Sequence, residues 1–370
     1  MSIFPIPFLS AASALAALLP FTFAPQGPRK PEPDMPVTAA ARTEVIQNVI
    51  AELKKSYVFP KVADEVETAL KTRVANKEYD KIESSNAFAS TLTEHVQAIS
   101  HDKHMRVRYH FEAIPKDDGV ERGPTPEEIE EMRTRGGAMN FGFEKVERLA
   151  GNVGYLDLRG FQDPLFAGET AAAAMSFLAN TDALIIDLRK NGGGTPSMVQ
   201  LMCSYLFQGG QPVHLNDLYF RPKDETHQFW TMPYVPGKRY VDKDVYVLTS
   251  SHTFSGAEEF TYNLKNLKRA TIVGETTGGG ANPGGPERVG EHFELFVPSG
   301  RAINPITKTN WEGTGVEPDV KTSEADALST AHAMALEKIV DKTTDARRKE
   351  ALQEALANLK RDVREPKNAK

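Results

Sequence analysis

The residues best placed to do chemistry in this chain are a serine, a glycine run, a few histidines and one carboxylate. Ser255 lies in VYVLTSSHTFSGAEEFTYNL, where a buried-looking strand (Val245 to Thr249) enters a polar turn and a helix starts at the serine. A hydroxyl there sits beside unpaired backbone N–H groups and the positive end of the helix dipole. That setting suits a nucleophile, because the N–H groups of Gly256 or Ala257 can face an oxyanion on the atom attacked. The same letters, Ser255-Gly-Ala-Glu258, also spell the capping box S-x-x-E, in which the serine merely satisfies an amide. Both readings stand on this segment alone. It is not a G-x-S-x-G elbow, since Thr253 and Ala257 occupy the glycine positions.

Asp187-Leu-Arg-Lys-Asn191-Gly-Gly-Gly194 follows the apolar run ALIID. Glycines between a strand and a helix let the backbone approach a ligand and aim amides at it. The stretch reads either as a second oxyanion donor or as a tight turn; it lacks the G-K-[ST] or G-x-G-x-x-G of a phosphate loop. His101, His104 and His110 cluster in SHDKHMRVRYH. No acidic ligand accompanies them at helical metal-site spacing, so neither a metal nor another cofactor is called for. A serine needs a base near neutrality, and an imidazole with a pKa of roughly 6.5 supplies one. His252 is the rival base, three residues before the serine. In NWEGTGVEPD, Glu312 stands between an aromatic and a glycine, where it could orient an imidazolium or simply face water. Glu317 and Asp319, flanking Pro318, read as loop or cap residues.

These candidates need a scaffold, and the chain is long enough for one. Its 370 residues are 40% hydrophobic and 25% charged, which is ordinary for a globular protein of about two domains. A net charge of −6 without a basic run disfavours nucleic acid as a partner. The single cysteine, Cys203, excludes a disulfide within the chain.

Met1 to Pro25 carries no charge, and Phe8 to Ala24 is almost wholly small or apolar. It reads as an export signal or a membrane-facing anchor, or else as an apolar tail, and Pro20 would interrupt a spanning helix. An exported location (periplasmic or extracellular) follows, with membrane association through this segment as an option. With the Pro-rich stretch after it, residues 1–37 are set apart from the fold.

Residues 38–115 read as a three-helix region. Val45, Ile46, Val49, Ile50 and Leu53 form one stripe, Val62, Val66, Leu70 and Val74 a second, and Phe88, Leu92, Val96 and Ile99 a third. Residues 116–139 form a charged linker containing TPEEIEEMR, a short helix with a Thr cap and Pro at its first position. From residue 140 the pattern changes to strand-length apolar runs: Val153 to Leu158, Ala183 to Leu188, Val245 to Thr249, Ala270 to Val273 and Phe293 to Val297. Helical stretches Glu169 to Ala179, Pro196 to Phe207 and Ser255 to Leu267 separate several of them. This alternation predicts an α/β fold over 140–322, with a mostly parallel sheet covered by helices. Two closing helices are predicted within 323–370.

Taken in order, Tyr57-Val-Phe-Pro60, SHDKHMRV, NFGFEKVERLAGNVGYLDLRGF, LIIDLRKNGGG, SSHTFSGAEEF, IVGETTGGG and NWEGTGVEPD resemble the tail-specific (C-terminal processing) serine peptidase family. The likeness is greatest to the branch typified by interphotoreceptor retinoid-binding protein modules and the tricorn protease core, and spans roughly Thr38 to Leu336. It implies a crotonase-like sheet domain beside a small N-terminal helical bundle, and peptide or protein substrates. Position by position it implies Ser255 as nucleophile, His104 as base and Glu312 as supporting acid, with the N–H groups of Gly193 and Gly256 as the oxyanion hole. Two departures matter. The lysine of G-E-x-T-x-G-K, used by many members as the base, is absent from GETTGGGA, which leaves the histidine route. About 30 residues between Arg108 and Asn140 are too few for a peptide-binding PDZ domain. Two rivals remain on the same scaffold: a non-catalytic binding module for an apolar ligand or peptide, and an acyl hydrolase acting on simple esters.

Overall fold

A computed structural model describes residues 33–116 and 123–364; the apolar segment over residues 1–25 lies outside them. Helix α1 (Ala39–Ser56) is capped by the Thr38 hydroxyl, and α2 (Pro60–Ala75) opens on Pro60. Helix α3 (Ser85–Ser100) is capped by Ser84, and the short strand β1 (Arg106–Tyr109) follows it. The three helical stripes point into one core, except that Val74 is 47% exposed at the end of α2. Helix α4 (Pro126–Gly137) has its predicted Thr cap, Thr125, which forms a capping box with Glu128. Among the described residues, α4 and one short turn are the elements between β1 and the sheet domain.

The sheet domain continues through β2 (Phe143–Leu149), β3 (Val153–Leu158), α5 (Pro164–Leu178), β4 (Ala183–Asp187), α6 (Pro196–Tyr205), β5 (His214–Phe220) and β6 (Glu225–Trp230). Next come β7 (Asp244–Thr249), α7 (Gly256–Asn266), β8 (Thr271–Gly274), β9 (Gly285–Arg288), β10 (Phe293–Val297), β11 (Gly300–Ile303), β12 (Val320–Lys321), α8 (Ala327–Lys342) and α9 (Ala346–Arg364). Six strands form the central sheet in the order β12-β8-β7-β4-β3-β2, parallel except for the β2–β3 pair. Along β4 and β7 successive side chains bury on opposite faces. Leu184, Ile186, Val245 and Val247 pack with α5, α6 and α7, while Ile185, Tyr246 and Leu248 pack with α8 and α9. A sheet covered on both faces explains why these strands are apolar throughout instead of alternating.

One expected strand belongs elsewhere. Phe293–Val297 does not join the parallel sheet; as β10 it pairs antiparallel with β1 and with β9. Phe293, Leu295 and Val297 thereby complete the core of the N-terminal helices, which three short helices could not fill alone. The Phe88 and Phe293 rings meet edge to face with centroids 5.6 Å apart. A further antiparallel sheet, β11-β5-β6, was not anticipated, because HLNDLYF and ETHQFW mix polar and apolar residues without a clear period. Interleaving β1 with β9 and β10 clamps the early helices onto the later domain. That clamp positions the site.

Candidate active site

Strands β4 and β7 are parallel neighbours, so the turns leaving their C-terminal ends lie side by side, where open α/β sheets place ligands. Hydrogen bonds join the two turns. Ser250 Oγ donates to the Arg189 carbonyl oxygen at 2.6 Å, Thr253 Oγ1 to that of Leu188 at 2.8 Å, and Phe254 N–H to that of Asn191 at 3.1 Å. Held in this way, Ser255 enters α7 with φ 54° and ψ −121°. A non-glycine residue in such a region carries about 1–3 kcal/mol of strain, and strain of this kind concentrates at functional sites.

Gly193 lies directly against this serine. With φ 108°, a Cβ at Gly193 would stand 2.9 Å from Ser255 Cβ and 2.8 Å from Gly256 N, so only glycine fits. Its expected use as an oxyanion donor meets an obstacle: the Gly193 N–H donates to Asn191 Oδ1 at 2.8 Å. The Asn-Gly-Gly-Gly turn satisfies its own buried amide with the asparagine side chain, a local competitor that spacing alone does not reveal.

Glu258 does more than cap. Its carboxylate accepts Ser255 N–H at 2.9 Å, as a capping box requires, and also Thr277 Oγ1 at 2.5 Å, Gly279 N–H at 2.6 Å and Gly280 N–H at 2.8 Å. The N–H of Glu258 reaches the Ser255 carbonyl oxygen at 2.8 Å, so this amide does not depend on the serine hydroxyl. Burial pushes the Glu258 pKa up to about 7 against the pull of its four donors. One side chain thus anchors the Ser255 turn to the loop Thr277–Gly280.

That loop meets the N-terminal helices. Lys103 Nζ donates to the Gly278 carbonyl oxygen at 2.6 Å, and Asn282 Nδ2 to Asp102 Oδ2 at 2.9 Å. Asp102 also accepts His104 N–H at 3.0 Å and the Tyr57 hydroxyl at 3.4 Å. The His104 ring is packed 4.7 Å (centroid to centroid) from Phe254, the residue before Ser255, and 5.7 Å from Phe296 on β10. A Cβ on Gly280 would lie 2.7 Å from His104 Cε1. Burial, reinforced by the nearby Arg106 charge, pushes the His104 pKa down to about 3, so the imidazole is neutral near pH 7.

His104 Nδ1 has no hydrogen-bond partner among the described residues and stands 3.9 Å from Asp102 Oδ1. Glu312 lies near both: one donor atom of each of Asp102, His104 and Glu312 falls within 4.8 Å of the others. Glu312 Oε2 accepts Ala281 N–H at 2.5 Å while Oε1 is unpartnered, and Trp311 Nε1 donates to the Gly280 carbonyl oxygen at 2.8 Å. Burial raises the pKa of both carboxyl groups, that of Asp102 against the pull of its hydrogen bonds, and the Asp102 charge raises that of Glu312 further.

Ser255, Gly193 and Gly256 therefore lie against one another, while the loop Thr277–Ala281 touches His104 and Glu312 and is tied to the Ser255 turn through Glu258. His101 is the exposed left-handed residue ending α3, His110 faces Glu294 at 3.7 Å, and His252 is exposed in its turn. Asp319 caps the start of β8 through Ile272 N–H, and Glu317 pairs with Lys321. Sequence reasoning passed over Asp102, Asn282 and Tyr57 and read Glu258 only as a cap. The D-x-H spacing of Asp102 and His104 was the one available signal.

A profile of peptidase family S41 matches residues 152–322, and one described as the N-terminal domain of that family in eukaryotic IRBP matches residues 36–141. Solved structures of similar fold include a candidate peptidase from Parabacteroides merdae, with 16% identity and a TM-score of 0.56 over 80% of this chain and 97% of that one. Mature CPAF is another, with 14% identity and a TM-score of 0.52 over 88% and 98%. At such identities the likeness speaks for the fold. The two profiles together span most of the chain, which is a serine-type peptidase, a hydrolase acting on peptide or protein substrates. It belongs to peptidase family S41.

Proposed function

We propose that Ser255 is the nucleophile of this peptidase and His104 its base. The observation that carries the reading is the strained backbone of Ser255, held at the mouth of α7 while the His104 ring packs on the adjoining Phe254. Ser255 Oγ attacks the scissile carbonyl, and its proton passes to the neutral imidazole and then to the leaving amine. The Asp102 carboxylate favours the imidazolium formed in that step, offsetting the dry surroundings that keep His104 uncharged at rest, and Glu312 lies beside both groups. The Gly256 N–H, at the start of α7, is the available oxyanion donor. The Gly193 N–H joins it only when Asn191 Oδ1 releases that amide. Each such donor typically contributes about 3–4 kcal/mol of transition-state stabilisation.

The apolar residues 1–25 support an exported or membrane-anchored location for this activity. A fluorophosphonate tests the assignment: it is expected to label Ser255 in the wild-type chain and to leave Ser255→Ala unmodified. Absence of labelling in a folded wild-type protein would return the scaffold to the binding-module reading.

A further inference from the structure

Behind Ser255, three donors converge with more capacity than they use. His104 Nδ1 and Glu312 Oε1 are both buried and unpartnered, although buried polar atoms are nearly always paired. The His104 side chain is 6% exposed and that of Asp102 1%. Asp102 is held in place by Asn282, Tyr57 and the His104 N–H, so it cannot turn to satisfy either orphan. One imidazole and two carboxylates in a dry pocket match the nitrogen and oxygen ligands that zinc takes, and the imidazole argues against calcium or magnesium.

We propose that Asp102, His104 and Glu312 form a transition-metal site, and that Zn²⁺ bound there reversibly silences the peptidase by withdrawing His104 from proton transfer. Zinc bonds of about 2.0–2.2 Å place tetrahedral ligand atoms roughly 3.4 Å apart. The 3.9 Å between His104 Nδ1 and Asp102 Oδ1 must therefore close by about half an ångström, and the widest of the three separations, within 4.8 Å, by up to about 1.4 Å. Glu312 has a free oxygen with which to follow. A divalent cation also balances two carboxylates that otherwise repel each other. Water would take the fourth position.

The inhibitory half rests on His104 being the base; the binding half does not. The test therefore begins with the full chain carrying Ser255→Ala, which keeps all three ligands and turns over nothing. Titration with Co²⁺ is expected to give saturable visible absorption of a low-coordinate ion, displaced by Zn²⁺, and Zn²⁺ is expected to raise the unfolding temperature. X-ray absorption on the zinc-loaded chain should find one imidazole and carboxylate oxygens, a readout that needs no ligand variant to fold. No saturable binding, or a shell without imidazole, overturns the site. In the wild-type chain Zn²⁺ should abolish peptide hydrolysis with the midpoint of the binding curve, and a chelator should restore it. Zinc bound without any loss of hydrolysis overturns the inhibitory claim. Binding by a chain that never hydrolyses peptide, even after chelation, leaves the metal site standing and removes the peptidase mechanism instead.

Discussion

Replacing Ser255 by glycine and by alanine separates strain from chemistry. Both variants lack the hydroxyl, so both are expected to lose at least about 10³-fold in kcat/KM. They differ in the backbone. At φ 54° and ψ −121° an alanine retains the strain of a Cβ, whereas glycine occupies that region freely. Relief is worth about 1–3 kcal/mol, reduced by about 0.5–1 kcal/mol for the greater freedom of glycine in the unfolded chain. A few tenths more are lost where the Cβ packs on Gly193. The net expectation is that Ser255→Gly is more stable than Ser255→Ala by about 1 kcal/mol. With an unfolding entropy of about 2.1 cal/mol/K per residue, that raises the melting temperature by roughly 1–2 °C for a chain of 370 residues. Scanning calorimetry at one fixed rate, with urea midpoints as a check, measures the difference. A glycine variant equal to or less stable than the alanine variant would refute the claim that strain is held at Ser255.

Three further outcomes follow from the same geometry. Gly280→Ala places a methyl 2.2 Å from Phe254 Cζ and 2.7 Å from His104 Cε1, so it should cost about 1–3 kcal/mol in stability and about 10²-fold in kcat/KM. Glu312 has its pKa raised on folding, so the native state holds a proton that the unfolded chain releases. Its contribution is complete below the ordinary value of 4.5 and is lost as pH rises into the neutral range. The gap in urea midpoint between wild type and Glu312→Gln should shift in that direction between pH 5 and pH 8, by about 1.4 kcal/mol for each unit of pKa shift; a gap independent of pH would contradict it. His104 has the opposite sign: with its pKa pushed down to about 3, its contribution is present above pH 6.5 and is lost as pH falls toward 3. His104→Gln should flatten that acid limb of the stability profile and abolish hydrolysis.

Much of the molecule was legible in its letters. The stripes of α1, α2 and α3, the Thr125 cap of α4 and the apolar runs of β3, β4 and β7 follow from period, caps and prolines, because these interactions lie within a few residues of each other. The nucleophile candidate was legible for the same reason: a strand, a polar turn and a helix start are consecutive. What the sequence left ambiguous was whether Ser255 merely caps. The strained backbone angle of Ser255 and the four bonds of Glu258, three of which reach a loop some twenty residues away, bear on that question and have no local signature.

By itself, then, the sequence determined the α/β class and the early helical region, and it singled out a serine, a histidine and a carboxylate as candidates. Tertiary structure decided their company. Only the pairing of β10 with β1 brings His104 across to Phe254, the residue before Ser255, and only the loop Thr277–Asn282 sets Asp102 and Glu312 near one imidazole. It also assigned the Gly193 amide to Asn191. These outcomes depend on burial and on hydrogen-bond competition between segments as many as 180 residues apart. No local pattern encodes such a choice, because its energy exists only once water has been excluded from between the two surfaces.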